Sequence, residues 1–403
     1  RQPARSCGAL DQPLHRGGAA GVTPEQAQIL DSVGAFLARH LPPEELRRRD
    51  AAHIPPYDLL PEMGRLGLFA LAVPEAAGGL GAGWRMVARV QERLGLGAYC
   101  AASIFNRVVG FGLMSLLTYG SERQRAEMVP LLMAGEAFCA LALTEPQAGS
   151  DAAAIRTRAE RIAGGWRIHG RKTWISDARA ARWLILPART GPEREGPRGV
   201  SLFLVPSDAP GIAMTPLPKI GNNCMPSFDI GFDGVTIGDD ALMGEEGRGF
   251  AQLMATLHFS RASMAATVTG AAAAAVGIAI DHARERVQFG RPLGRVQAVA
   301  PRIAEMRTRG DLSGLMVRHL AGLIEDGAPC RREAAQAKIV ATETLRDVTD
   351  AGMQILASAG YSAEGDMQRL WRDSRLYTFG EGANDVLRES LARELGLGER
   401  LTA

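Results

Sequence analysis

Apolar positions recur at helical spacing through the first third of the chain. Thr23-Pro24-Glu25-Gln26 opens a helix with a hydroxyl cap, a proline in the first turn and an acid beside it. Ile29, Val33, Phe36 and Leu37 then fall on one face. Further helices are predicted around 57–67, 84–96, 100–117 and 121–134, separated by turn clusters such as Pro42-Pro43 and Gly78-Gly79-Leu80-Gly81-Ala82-Gly83. The glycine cluster has neither G-x-G-x-x-G spacing nor a strand–helix–strand unit before it, so it reads as a turn rather than a phosphate loop.

The period changes at Phe138. Short apolar runs at 139–143, 166–169, 183–186, 201–205 and 228–232 alternate with Gly164-Gly165, Pro210-Gly211 and Asp233-Gly234. Runs of that length predict an antiparallel β domain, a small barrel or sandwich, ending near Met243-Gly244. From Gly249 the helical pattern returns, over 249–287, 296–325 and 332–359, with a last helix after Asp385. Long helices with short connections predict an up-and-down, four-helix-bundle-like end. The expected fold is α+β and multi-domain: a disordered leader at 1–22, an all-α domain at 23–137, a β domain at 138–245 and a helical bundle at 246–403.

Composition narrows the function. The 403 residues carry Lys+Arg 46 against Asp+Glu 44, a net charge of +2 with no long basic run, so no nucleic-acid or acidic-membrane partner is expected. Cys7, Cys100, Cys139, Cys224 and Cys330 form no C-x-x-C pair, and the seven histidines have no H-x-x-x-H spacing. No metal site or disulfide framework is therefore expected, and a reducing compartment is the default. No run reaches the roughly 18 uninterrupted apolar residues of a membrane span. The expected location is cytoplasmic; residues 1–20 contain arginine but also Asp11 and no amphipathic helix, which disfavours a mitochondrial leader.

One turn stands out chemically. In Leu376-Tyr377-Thr378-Phe379-Gly380-Glu381-Gly382-Ala383-Asn384-Asp385 a lone carboxylate sits between two glycines, beside Leu376 and Phe379 and just before a new helix. Glycines let backbone approach a bound group and leave the Glu381 N–H unobstructed, and a poorly solvated carboxylate makes an effective general base. The competing reading is an ordinary loop acid at a helix start.

Four ordered stretches decide between them: Leu141-Ala142-Leu143-Thr144-Glu145-Pro146-Gln147-Ala148-Gly149-Ser150-Asp151, Gly170-Arg171-Lys172-Thr173-Trp174-Ile175-Ser176, Arg284-Glu285-Arg286-Val287-Gln288-Phe289-Gly290-Arg291-Pro292-Leu293 with Gln297, and Gln354 through Gly360-Tyr361 to Glu381. Together they resemble the acyl-CoA dehydrogenase family from about 23 to 397. The resemblance implies FAD as cofactor, an acyl-CoA substrate dehydrogenated at its α,β bond in fatty-acid or amino-acid breakdown, and an electron-transfer flavoprotein as acceptor. It also implies a homo-oligomer, a tetramer or a dimer. Glu381 falls at the catalytic-base position, and its own N–H is implied to bind the thioester carbonyl. Some relatives carry the base on the preceding helix, where this chain has Leu257-His258-Phe259-Ser260-Arg261 and no acid.

By the same resemblance Leu141, Leu143, Thr144, Gly149, Ser150, Trp174, Ile175 and Ser176 lie along the flavin. Arg286 and Gln288 reach FAD across a subunit contact, with a permanently charged, forked arginine suiting its pyrophosphate, and Phe289 is a further cofactor position. Val296, Gln297, Gln354, Ala357, Ser358, Gly382, Ala383, Asn384 and Asp385 complete the cofactor set. Ser150, His258, Arg261, Gly380, Glu381 and Arg393 fall at acyl-CoA positions. Three departures occur: Val296 replaces a frequent histidine, Ala357-Ser358 a glycine pair, and Gly380 a frequent aromatic. The last is expected to widen the pocket for branched or bulky acyl chains. An acyl-carrier-protein dehydrogenase, a flavin monooxygenase on the same fold and a non-catalytic scaffold are the alternatives, the last two disfavoured by an intact Glu381.

Overall fold

Residues 23–398 are described by a computed structural model; the expected leader at 1–22 lies outside them. The N-terminal helices are α1 (Pro24–His40), α2 (Pro43–Ala52), α3 (Leu60–Arg65), α4 (Gly83–Gly97), α5 (Tyr99–Asn106), α6 (Met114–Tyr119) and α7 (Glu122–Met133). Capping boxes start two of them, Thr23 with Gln26 at α1 and Ser121 with Gln124 at α7. Pro42-Pro43, read as a turn, instead places a proline at the first position of α2, where its missing N–H costs nothing. The expected helix at 57–67 is broken, a 3-10 turn at Tyr57–Leu59 preceding α3. The expected helix at 100–117 is continuous but widens into a π-helical stretch at Arg107–Leu113 between α5 and α6, a deviation that recurs at functional sites.

The middle of the chain forms one sheet from β1 (Cys139–Leu141), β2 (Arg158–Ile162), β3 (Gly165–Ser176), β4 (Trp183–Arg189), β5 (Val200–Pro206), β6 (Ile212–Leu217), β7 (Ser227–Gly238) and β8 (Leu242–Met243). Its order is β6-β7-β3-β2-β4-β5-β8, with β1 alongside β4. Most pairs are antiparallel as expected, but β1 and β2 each run parallel to β4. Along β3 and β7 the register slips between Lys172 and Ile175, so Thr173 and Trp174 together oppose Asp229. Such a bulge re-aims side chains, and here it turns Trp174 outward, 54% exposed at φ 59°.

α8 (Gly249–Glu285) follows, then a small hairpin of β9 (Val287–Gln288) and β10 (Arg291–Pro292), then α9 (Ala300–Glu325), α10 (Arg331–Leu356), α11 (Ser358–Tyr361), α12 (Asp366–Tyr377) and α13 (Asn384–Glu394). The 37 residues of α8 run about 55 Å at the usual rise per residue. Its small residues let α4 lie almost on its backbone: a Cβ at Gly95 would stand 2.2 Å from the Thr267 carbonyl oxygen, and one at Gly270 would stand 2.0 Å from that of Glu92. Two helical spans, Tyr99–Tyr119 and Gly249–Glu285, are apolar and long enough to cross a membrane, yet both are mostly buried inside the protein. They are core helices, and one continuous apolar core runs through helices and sheet alike.

Candidate active site

The three layers meet around a cavity of about 2180 Å³. A drug-sized ligand needs roughly 300–1,000 Å³, so this space admits two large ligands side by side. The Glu381 turn connects α12 to α13 and lines it. Phe379 and Gly380 close α12 by donating their N–H groups to the Leu376 carbonyl, and Asn384 N returns to Thr378 O at 2.9 Å. Between them Glu381 adopts φ 55° and Gly382 φ 97°. A left-handed glutamate persists only where its surroundings hold it, which is a common mark of a working site. Gly380 is not in that region; a Cβ there would meet only Leu376, at 3.2 Å or more.

The carboxylate of Glu381 accepts from Ser260 Oγ at 2.5 Å on α8 and from Asn106 Nδ2 at 3.4 Å on α5. Burial raises its pKa above the ordinary carboxylate value, while the Ser260 hydrogen bond and the Arg107, Arg261 and Lys338 charges pull the other way. A base gains proton affinity in that direction. Arg261 Nε donates to the Glu381 carbonyl at 3.3 Å. The N–H of Glu381 makes no hydrogen bond to any described residue. One residue thus presents a carboxylate and an uncommitted N–H donor at the same cavity.

Buried contacts fix this turn from behind. Lys338, on α10 and without solvent exposure, donates to Gly382 O and Asn384 Oδ1, both at 2.8 Å. Burial draws its ammonium down to about 8. At the other end Tyr377 Oη donates to Asn222 Oδ1 at 2.7 Å, and Asn222 N donates to Asp373 on α12 at 2.5 Å. Burial lifts Asp373 to about 6. The loop between β6 and β7 is thereby tied to the helix that carries the base.

Across the cavity stand Leu141, Leu143, Thr144, Gly149, Ser150, Trp174, Ile175 and Ser176. The β1 exit and the β3 bulge are joined by Thr173 N donating to Thr144 O at 2.9 Å. Beneath them Lys172, fully buried, pairs with Glu145 at 2.8 Å. Burial would raise Glu145, but Lys172 and the Arg156 and Thr157 amides hold it down to about 2. Thr144 Oγ1 has no hydrogen bond among the described residues, and Ser176 Oγ has only a 3.4 Å contact with Ser227.

The sequence-predicted residues divide into two groups. His258, Arg261, Gly380, Glu381, Gly382, Ala383 and Arg393 line the cavity with the eight just named. Burial lowers the pKa of both His258 and Arg261. Arg286, Gln288, Phe289, Val296, Gln297, Gln354, Ala357, Ser358, Asn384 and Asp385 do not line it. Most are exposed, Phe289 at 97% on the tip of the β9–β10 hairpin. Asn384 is buried, with its side chain committed to Lys338, Thr342 and Glu343. Sequence reasoning did not single out Asn106, Arg107, Ser260 as a ligand of the base, or Lys338. A lysine on the alanine-rich stripe Ala334-Ala337-Ala341, and a polar pair inside the apolar stretch 101–117, were the available signals.

Comparison with known proteins agrees with this geometry. Models of the N-terminal, middle and C-terminal domains of acyl-CoA dehydrogenases match residues 23–136, 140–235 and 247–396. The architecture is that of an FAD-dependent oxidoreductase. The chain belongs to the acyl-CoA dehydrogenase family. It is 32% identical over 375 residues to a probable acyl-CoA dehydrogenase of Bacillus subtilis, covering 93% of this chain and 98% of the relative. It is 33% identical over 376 residues to the benzylmalonyl-CoA dehydrogenase of Aromatoleum aromaticum, again covering 93% and 98%. The solved butyryl-CoA dehydrogenase of Megasphaera elsdenii superposes with a TM-score of 0.90 at 28% identity, covering 94% and 99%.

Proposed function

We propose that this chain dehydrogenates an acyl-CoA between its α and β carbons, with Glu381 as the acceptor of the α-proton. The observation that carries the reading is the single left-handed residue offering both a carboxylate of raised pKa and a free backbone N–H to one cavity. A thioester carbonyl on that N–H gains a donor for the enolate charge that develops as its α-proton leaves. The same contact places the α-carbon beside the carboxylate. Ser260 and Asn106 orient the carboxylate, and the lack of any other acid on the facing stretch of α8 leaves Glu381 without a rival.

The residues opposite fit FAD. Thr144 has an uncommitted hydroxyl, Trp174 presents a ring at the cavity, and a Cβ at Gly149 would meet nothing within 4 Å, leaving room for a close planar ligand. When bound, FAD supplies the acceptor for the electrons leaving the β-carbon. Arg286, Gln288, Gln354 and Ala357 would hold its distal half from another subunit. That is supported by the exposed apolar side chains Phe289, Val287, Leu312, Leu315 and Tyr361, which a homo-oligomer would cover. An electron-transfer flavoprotein as acceptor and a reducing, cytoplasmic location complete the proposal.

Glu381→Gln tests it. The variant keeps shape and most hydrogen bonding, so FAD content should stay at the wild-type level. Anaerobic bleaching by an acyl-CoA should slow by about 10²–10⁴, the worth of a positioned general base. Bleaching at the wild-type rate would remove Glu381 from the mechanism.

A further inference from the structure

Arg107 is a mostly buried cation of the cavity wall with donors that nothing in the mechanism uses. It opens the π-helical stretch, lines the cavity, and its side chain is only 11% exposed. Asp177 accepts from its Nε at 3.1 Å and gives its other oxygen to Tyr57 Oη at 2.7 Å. A guanidinium held only as a counter-ion ordinarily meets its carboxylate through two parallel hydrogen bonds. Here Asp177 takes one edge. Of the remaining nitrogens, Nη2 has only the thioether of Met225 at 3.1 Å, a weak acceptor, and Nη1 has no partner among the described residues.

Position says what would fill those donors. The residue before Arg107 is Asn106, whose side chain touches both Glu381 and Ser260. The charge of Arg107 also acts directly on the Glu381 carboxylate, so a group facing Arg107 lies close to the carbons that react. The phosphates of CoA, at the far end of the pantetheine arm, are too distant to be that group, and so is the pyrophosphate of FAD. What remains is the acyl chain. The wall around the base is cationic: Arg107, Arg261 and Lys338 all act on Glu381.

We propose that Arg107 binds a second carboxylate on the acyl group, making the substrate a short-chain dicarboxylic acid esterified to CoA at one end. The proposal rests on the dehydrogenase reading above. The substrate carboxylate bonds Nη1 and Nη2 while Asp177 keeps Nε, so the side chain is fixed before the substrate arrives. Phe111, whose ring centre lies 5.4 Å from the guanidinium carbon, walls the same spot and keeps water from competing.

The test uses the FAD-loaded enzyme and three matched pairs of thioesters: butyryl-, pentanoyl- and hexanoyl-CoA against succinyl-, glutaryl- and adipyl-CoA. Each pair differs only in a methyl exchanged for a carboxylate. In at least one pair the carboxylated member should bleach the flavin about 10- to 100-fold more efficiently, the worth of one charge-assisted hydrogen bond. Its dissociation constant in Glu381→Gln, where turnover is blocked, should be lower by a similar factor. Arg107→Met risks stranding Asp177, so Arg107→Met/Asp177→Asn, which neutralises both members, serves beside it and should reverse the preference. If the uncarboxylated member wins in every pair, or the double variant keeps the wild-type ratio, the proposal is overturned while the dehydrogenase reading stands. An enzyme bleached by none of the six but bleached by a longer, branched or aromatic acyl-CoA overturns the proposal alone, and one bleached by no acyl-CoA overturns both.

Discussion

Lys172 and Lys338 are both without solvent exposure, and burial draws both down to about 8, yet they are held in different company. Lys172 sits under the sheet wall and meets a carboxylate, Glu145, which also accepts from Arg156 N, Thr157 N and Gln147 Nε2. Its charge is consumed where it stands. Lys338 sits under the base and touches only neutral oxygens, on Gly382 and Asn384. The anion it acts on most is Glu381, across the turn. The first lysine thus fastens a loop, and the second fastens a turn while lending its field to the base. The contrast sharpens against composition. Of 46 Lys+Arg only three are lysines; Lys172 and Lys338 are fully buried, and Lys219, half-buried, lines the cavity. Arginine supplies the other cations, and Arg49, Arg189 and Arg369 are buried as well, so burial by itself does not select lysine.

The largest expected effect falls on the first lysine. Lys172→Met strands a buried Glu145 and should cost about 3–5 kcal/mol of stability, read from urea unfolding of the FAD-loaded enzyme. The fraction that folds should still bleach at close to the normal rate. A loss below about 1 kcal/mol would show that Glu145 is held by its amide donors alone and would dissolve the comparison. Lys338→Met should cost less, about 1–3 kcal/mol for two acceptors left without a donor, but it should reach the chemistry. Lys338 helps keep Glu381 ionised, so its removal raises the Glu381 pKa. The acid limb of the bleaching rate against pH should then move to higher pH. A variant that loses rate equally at all pH values would mean that Lys338 only shapes the turn.

Between the two glycines of that turn the expected effect is smaller and uneven. Gly382→Ala forces a side chain to φ 97° with Arg261 Nη2 3.3 Å from the new Cβ, which should cost about 1–2 kcal/mol and disturb the base. Gly380→Ala meets only Leu376 at 3.2 Å and should be close to neutral in stability. A larger side chain at 380 should then act on acyl selectivity alone, since the backbone there asks nothing of glycine. Melting temperatures of the two alanine variants distinguish the positions, and equal losses would contradict the backbone account.

What could be read in the sequence was what repeats or what stands alone. Helical and strand periods revealed the α–β–α order, because buried faces must be apolar at fixed spacing. Glu381 was conspicuous as one acid between two glycines. What stayed hidden depends on chains meeting in space. β2 was missed because Arg158, Glu160 and Arg161 mask its alternation, although it lies between β3 and β4. The parallel pairings of β1 and β2 with β4 follow from long connections that no local pattern encodes. Asn106, Ser260 and Lys338 come to the base from α5, α8 and α10, and each in isolation reads as an unremarkable polar residue in a helix. Arg107 is hidden for the same reason. Its partner Asp177 is 70 positions away.

The smallest effect tests whether Lys338 enters the fold as a charge. Its folded pKa of about 8 lies below the roughly 10.4 of an exposed lysine. Between those values the unfolded chain binds a proton that the folded chain has released, so stability rises with pH across this window. Below pH 8 the folded protein carries the full cost of burying the ammonium, and above it the cost fades. Lys172 titrates in the same direction, as do other groups, so the absolute slope of the wild type says little by itself. The difference from Lys338→Met isolates one lysine. Relative to that variant, the wild type should gain on the order of 1 kcal/mol between pH 8 and 9.5, measured by urea unfolding at each pH with FAD saturating. A gap that already grows by about 1.4 kcal/mol per pH unit between pH 7 and 8 would mean that Lys338 is neutral in the fold at pH 7, bonding Gly382 and Asn384 as an amine. Its field on Glu381 would then vanish as well, and the shifted acid limb predicted for Lys338→Met should be absent in the same preparation.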